Sequence, residues 1–238
     1  MEGMAIWSVP GSNPIAFKRG HIRLASVRDV LYATIRRFRR DRMATFEQTF
    51  SLTPQTRILD VGGTALNWSL IPTKPRIILL NLPTDGEADV VGDGRCLPFP
   101  DASFDIVFSN SVIEHIASSD DQQRFADEIR RTGRDYWVQT PDRRFPVEPH
   151  LVTPFLHWLP KMLRVAIARR FTIWALLERP SPDRWEFYIR HCAEEVRLLD
   201  ARELQAMFPD ARIIRERFFG LSKSLIAVRT TAAAGAPK

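Results

Sequence analysis

An α/β fold, with a mostly parallel sheet covered by helices on both faces, is predicted by three observations in this 238-residue chain. Short apolar runs start at Arg57, Arg76, Ala88, Phe104 and Tyr136, rich in Ile, Val, Leu and aromatics and separated by polar breaks. Such runs read as strands buried on both faces. Helical signals fall between them, and strands alternating with helices imply a parallel sheet. Two further runs, near 212–217 and 224–228, bring the candidate strands to seven.

The elements follow in order. Residues 1–20 mix Gly, Pro, Ser and Asn without a period and read as an arm. Val27, Val30, Leu31, Ile35 and Phe38 follow helical spacing, Ser26 is placed to cap them, and arginines fill the other positions. Residues 1–50 are therefore expected to form an arm and a basic amphipathic helix, ahead of a main domain over 51–230. Its first strand, Arg57-Ile-Leu-Asp-Val, runs into Gly62-Gly63, and its second is the run from Arg76 to Leu82. Before the fifth, Ser118 or Ser119 can cap a helix, Asp120 and Asp121 suit its positive end, Phe125 and Ile129 share a face, and Gly133 can end it.

The Pro- and Trp-rich residues 141–200 break this rhythm and are expected to form an insertion between strands five and six, over the C-terminal edge of the sheet. Within it, 155–174 is apolar on most sides and carries Lys161, Arg164, Arg169 and Arg170. It reads first as a core helix with snorkelling arginines and second as a lid or membrane-surface segment. Asp200 and Glu203 form a capping-box pattern for a helix through Phe208, stopped by Pro209. The tail, 231–238, is small and polar and expected to be disordered.

Composition excludes several classes. No apolar run nears the roughly 18 residues that span a bilayer, and the N-terminus lacks the order of a signal peptide. Cys96 and Cys192 form no CxxC or Cys/His cluster, which argues against a zinc site or a disulfide framework, so no metal is expected and the cytosol fits best. The net charge of +6 is concentrated. Residues 18–42 hold nine Lys or Arg against two Asp, a local +7, and the rest of the chain carries −1. A charge run is usually a solvated face, although this patch could also meet anionic lipid or RNA phosphates.

The chemistry concentrates at Ile58-Leu59-Asp60-Val61-Gly62-Gly63-Thr64, where an apolar strand ends in an acid and two glycines. Glycine lets a backbone turn sharply and approach a ligand. The G-x-G-x-x-G spacing of a dinucleotide fold is missing, which weakens a nicotinamide oxidoreductase reading. Downstream come Gly92-Asp93-Gly94, Leu97-Pro98-Phe99, Ser103-Phe104-Asp105-Ile106-Val107 and Glu114-His115-Ile116. Together these runs resemble the class I S-adenosylmethionine-dependent methyltransferases, closely over 53–140.

The resemblance implies a Rossmann-like, mostly parallel seven-stranded sheet and S-adenosyl-L-methionine as cofactor. It places Asp60, Gly62, Gly63 and Thr64 beside the methionine and ribose part, Asp93 towards the adenine amine with Gly94 next to it, and Asn110 within the same set. Asn81 stands where the family usually has the acid that binds the ribose hydroxyls, a weaker acceptor than a carboxylate. For an acceptor hydroxyl a base is needed, and His150, His115 and Glu114 are the candidates. The expected acceptor is a small or lipid-linked molecule methylated on oxygen, with peripheral contact of the basic helix at the inner membrane face. Two alternatives stay open: a non-catalytic binding or assembly protein that keeps the fold, and an RNA methyltransferase using the patch over 36–42.

Overall fold

The computed structural model describes residues 27–83, 87–148 and 150–231. The expected arm over 1–20, the Ser26 cap and the tail beyond 231 lie outside them. Among the described residues, no helix is long and apolar enough to cross a membrane.

Seven strands form one sheet: β1 (Arg57–Val61), β2 (Arg76–Asn81), β3 (Val90–Val91), β4 (Phe104–Asn110), β5 (Gly133–Pro141), β6 (Arg212–Phe218) and β7 (Leu221–Arg229), in the order β3-β2-β1-β4-β5-β7-β6. The first five run parallel, while β7 is antiparallel to both neighbours. The sheet is therefore Rossmann-like and mostly parallel, as the alternation predicts. Parallel pairing places the ends of β1, β2, β4 and β5 on one edge, where an open α/β sheet leaves its ligand crevice.

Each face has its own core. On one, α3 (Ser119–Thr132) and α7 (Ala201–Met207) bring Phe125, Ile129 and Leu204 against Leu59, Val107 and Tyr136. Their caps follow the sequence: Ser118 accepts from Asp121 N, and Asp200 with Glu203 closes a reciprocal capping box. On the other face, α1 (Val27–Phe50) and α2 (Ala65–Trp68) supply Met43, Phe46 and Trp68. Phe46 meets Trp68, Phe108 and Trp137 edge-on, with centroids 5.0 to 5.9 Å apart, the geometry that aromatic quadrupoles favour.

The basic helix forms, but Arg42 does not belong to its surface patch. Arg42 is buried and grips Glu216 with two 2.7 Å bonds, while its Nη1 donates to Asn110 and Gln139. It ties α1 to the sheet; Arg36, Arg37 and Arg40 remain exposed.

The reading of 155–174 as one core helix is overturned. A 3₁₀ turn (Leu156–Trp158), α4 (Lys161–Ala168) and α5 (Ile173–Glu178) take its place. Pro160 has no N–H to continue a helix and stands just before α4. Thr172 starts α5 by accepting from Ala175 N. With α6 (Pro182–Tyr188) and a π turn (Ile189–Glu194), these pieces enclose a third core of Leu151, Leu156, Trp174, Tyr188, Ile189 and Cys192. Arg164 does not snorkel either; half-buried, it donates to Ala193 O at 2.7 Å.

Candidate active site

At the end of β1 the chain turns on Gly62 with φ of +78°, a left-handed conformation that glycine adopts without strain. Gly62 N donates to Leu80 O at 2.8 Å and pins the turn to β2. A side chain at Gly63 would collide with the Asp60 carboxylate. Asp60 is fully buried; its Oδ2 accepts from Trp68 Nε1 at 2.8 Å, and its Oδ1 has no partner among the described residues. Burial pushes its carboxyl up to about 7, against the Trp68 bond that favours the charge. Thr64 follows, exposed at the start of α2.

Asn81, at the end of β2, is buried and spends both amide hydrogens on backbone, donating to Gly63 O at 2.9 Å and Glu87 O at 2.6 Å. Its oxygen is the group it can offer a ligand. Asp93 is gripped by Arg95, whose Nη2 lies 2.6 Å away and whose Nη1 also reaches Asp121 at 3.0 Å. These bonds hold the Asp93 carboxyl below its ordinary range, so an incoming amine meets it in competition with Arg95. Gly94 is set against Phe125 and Val61, and Asn110 is held by Arg42. An orphaned buried oxygen on Asp60, beside a turn only glycine fits, and the Asn81 oxygen, which accepts no hydrogen bond among the described residues, suit a polar ligand at the β1 and β2 ends. S-adenosylmethionine fits these residues.

The candidate bases lie together at the ends of β4 and β5. Ser111, with φ of +58°, bends the chain out of β4 into a 3₁₀ turn (Ile113–His115). The bend sets Val112 against Gly62 and brings Glu114 and His115 beneath the loop after β5. His115 and His150 stack edge-on with centroids 4.7 Å apart. Donor atoms of Glu114, His115 and His150 all lie within 4.8 Å of one another.

Glu114 is fully buried; Oε2 accepts from Thr140 at 3.0 Å and Oε1 has no partner among the described residues. Burial pushes its carboxyl up to about 7 against the pull of His150. Burial, with His150 adding repulsion, drives His115 down to about 3, so it stays neutral. His150 behaves oppositely: burial alone would lower it, but the charge of Glu148 and a hydrogen bond from Nδ1 to Glu148 Oε1 raise it. Glu148 is correspondingly held low despite its burial, helped by Leu151 N at 2.6 Å.

Beside this cluster opens a cleft of about 420 Å³ whose lining includes Arg143, Glu148, His157, Lys161, Arg164 and Arg197. Glu148 thus joins His150 to the cleft. The sequence alone assigns no role to Glu148, Ser111 or Thr140. The available signal was an acid two residues before a histidine, in a loop leaving a strand at the ligand edge.

Residues 78–135, from β2 into β5, match the family model described as a methyltransferase domain. That stretch sits inside the mostly parallel seven-stranded sheet. The chain has the class I methyltransferase fold. Among similar solved structures, a possible exported protein from Bordetella parapertussis is 14% identical, with 90% of this chain and 76% of that one covered and a TM-score of 0.51. A SAM-dependent methyltransferase from Aquifex aeolicus is 11% identical over 78% and 87%, with a TM-score of 0.42. The [4+2]-cyclase SpnF is 17% identical over 44% and 46%, with a TM-score of 0.36, so this chain spans less than half of its length. No curated protein matches the chain significantly.

Proposed function

We propose that this protein is an S-adenosylmethionine-dependent methyltransferase acting on a hydroxyl of a small or lipid-linked acceptor. The observation that carries the reading is that the glycine turn with Asp60 and the cluster of Glu114, His115 and His150 lie at the same edge of the sheet, with Val112, two residues before Glu114, set against Gly62. When bound, the cofactor supplies an electrophilic sulfonium methyl. Asp60, Gly62, Gly63 and Asn81 would hold it, with Thr64 at the rim. The cluster removes the proton of the acceptor hydroxyl, and the insertion excludes water and aligns the two reactants.

The acceptor class follows from the insertion. Arg164, Lys161 and Arg143 reach the cleft, and Lys161 makes no ion pair among the described residues, so an acceptor carrying phosphate or carboxylate is favoured. Outside, Phe155, Trp158, Met162, Leu163, Phe171 and Leu176 are exposed on the same insertion, Met162 at 84%. An apolar surface next to basic side chains suits an acceptor presented from an anionic membrane.

Calorimetric titration with S-adenosylhomocysteine tests the cofactor. Micromolar binding is expected for the wild type and at least tenfold weaker binding for Gly63→Ala, whose methyl meets Asp60. No binding by the folded wild-type chain would favour the non-catalytic reading.

A further inference from the structure

We propose that Glu114, His115 and His150 form a binding site for one divalent transition-metal ion, with zinc the best match, and that Glu148 positions His150 for it. The inference deepens the methyltransferase reading and rests on it for its catalytic meaning, not for the site itself. Two imidazoles and one carboxylate are a donor set that zinc and its neighbours accept, and three protein ligands leave further positions open. The three donors come from two loops that parallel pairing brings together, the turn after β4 and the segment after β5. Their atoms lie within 4.8 Å of one another. Ligands of a tetrahedral ion sit about 3.4 Å apart at bonds of about 2.1 Å, so side-chain rotations of about an ångström close the set.

Two independent features point the same way. Glu114 is completely buried, yet its Oε1 has no hydrogen-bond partner among the described residues. A buried polar atom is normally paired, and a cation at the cluster supplies what this oxygen lacks. Second, Glu148 takes the Nδ1 edge of His150, so Nε2 is the donor His150 offers. A carboxylate behind a histidine is the recurrent support of metal ligands, fixing both tautomer and ring orientation. Glu148 is itself oriented by Leu151 N at 2.6 Å in its own loop, and Glu114 by Thr140 Oγ1 of β5 at 3.0 Å, so both carboxylates are braced.

The site explains how the cluster handles an acceptor proton. A hydroxyl bound at an open position of the ion loses its proton far more readily than in water, as metal-bound water does. The O–H bond breaks with its electron pair kept on the oxygen that the metal holds, and the proton leaves through the cleft to solvent.

The test uses the full chain, stripped with chelator and titrated calorimetrically with Zn²⁺, with Co²⁺ as a spectroscopic probe. One ion per chain is expected, with visible Co²⁺ absorption and a raised melting temperature. His115→Ala and His150→Ala should abolish binding, Glu148→Gln should weaken it 10- to 100-fold, and His191→Ala, a histidine outside the cluster, should leave it unchanged. Circular dichroism identifies a variant that fails to fold, and the Co²⁺ spectrum of the wild type stands whatever the variants do. A folded wild-type chain that binds no ion, or an ion retained by both histidine variants, overturns the site. S-adenosylhomocysteine titration of the same samples separates the two readings. Cofactor binding without an ion overturns the metal site alone, whereas an ion bound without cofactor supports the site and overturns the methyltransferase reading.

Discussion

Asp60 and Asn81 show how single side chains decide what the ligand edge can do. Asp60 has a folded-state pKa of about 7 against an ordinary value of 3.8, so folding favours its protonated form. Its contribution to stability is fully present below pH 4, falls as pH rises through 7, and is constant above that. Asp60→Asn lacks this dependence. The stability of the variant relative to wild type should therefore climb between pH 4 and pH 7 and level off, by no more than about 4 kcal/mol. Urea denaturation across that range measures the difference, and a flat one would mean that Asp60 stays charged when buried. Asn81 makes a second prediction. As a weak substitute for the family acid, it should bind cofactor better as Asn81→Asp. The structure predicts the reverse, because a carboxylate would face the carbonyls of Gly63 and Glu87 without hydrogens to offer. S-adenosylhomocysteine affinity should fall at least tenfold, and tighter binding by Asn81→Asp would refute this role for the amide.

Among the elements, α1 carries two kinds of arginine that sequence cannot separate. Arg36, Arg37 and Arg40 are exposed, whereas Arg42 lies one turn on and is buried against Glu216. Arg42→Ala leaves Glu216 buried beside a lost partner and should cost about 3 to 5 kcal/mol, read as a fall in melting temperature. Replacing Arg36, Arg37 and Arg40 with Gln should change stability by less than about 0.5 kcal/mol and weaken binding to anionic vesicles. Unchanged vesicle binding would remove α1 from any membrane contact. The contrast marks where sequence is informative. β1, β2, β4, α3 and α7 were legible because period, caps and glycine breaks agree within each short segment. The broken helices of 155–174 were missed because Leu, Met and Ala suit a continuous helix and outweighed two local signals, Pro160 before α4 and Thr172 at the start of α5. In the site, Asp60 and Gly63 announce themselves by adjacency. Glu148 and His150 meet Glu114 and His115 only because β4 pairs with β5, 33 residues and more apart in sequence, a distance no local pattern reports.

Taken whole, the molecule is a sheet with a core on each face and an insertion whose third core is built from different residues. The ties between the insertion and the rest of the fold include Asp142 N donating to Lys223 O, Tyr32 of α1 donating to Glu178 of α5, and Arg197, which donates its N–H to Glu114 O and its guanidinium to Gln122 and Glu203. A unit with its own core and few ties can open without unfolding the rest. The stack at its centre, Trp174 on Tyr188 at 4.0 Å and 6° with Trp185 beside them, is the place to test that. Trp174→Ala should destabilise the insertion locally by about 3 to 5 kcal/mol. Amides of α4, α5 and α6 should then exchange faster, while those of β1, β2, β4 and β5 keep their protection. The cleft is lined, apart from Ala117, by residues of the insertion, and the glycine turn lies outside it. The same variant should therefore retain S-adenosylhomocysteine affinity and lose methyl transfer to its acceptor. Uniformly faster exchange across the sheet would instead make insertion and sheet one cooperative unit, and the acceptor site would then be as rigid as the cofactor site beneath it.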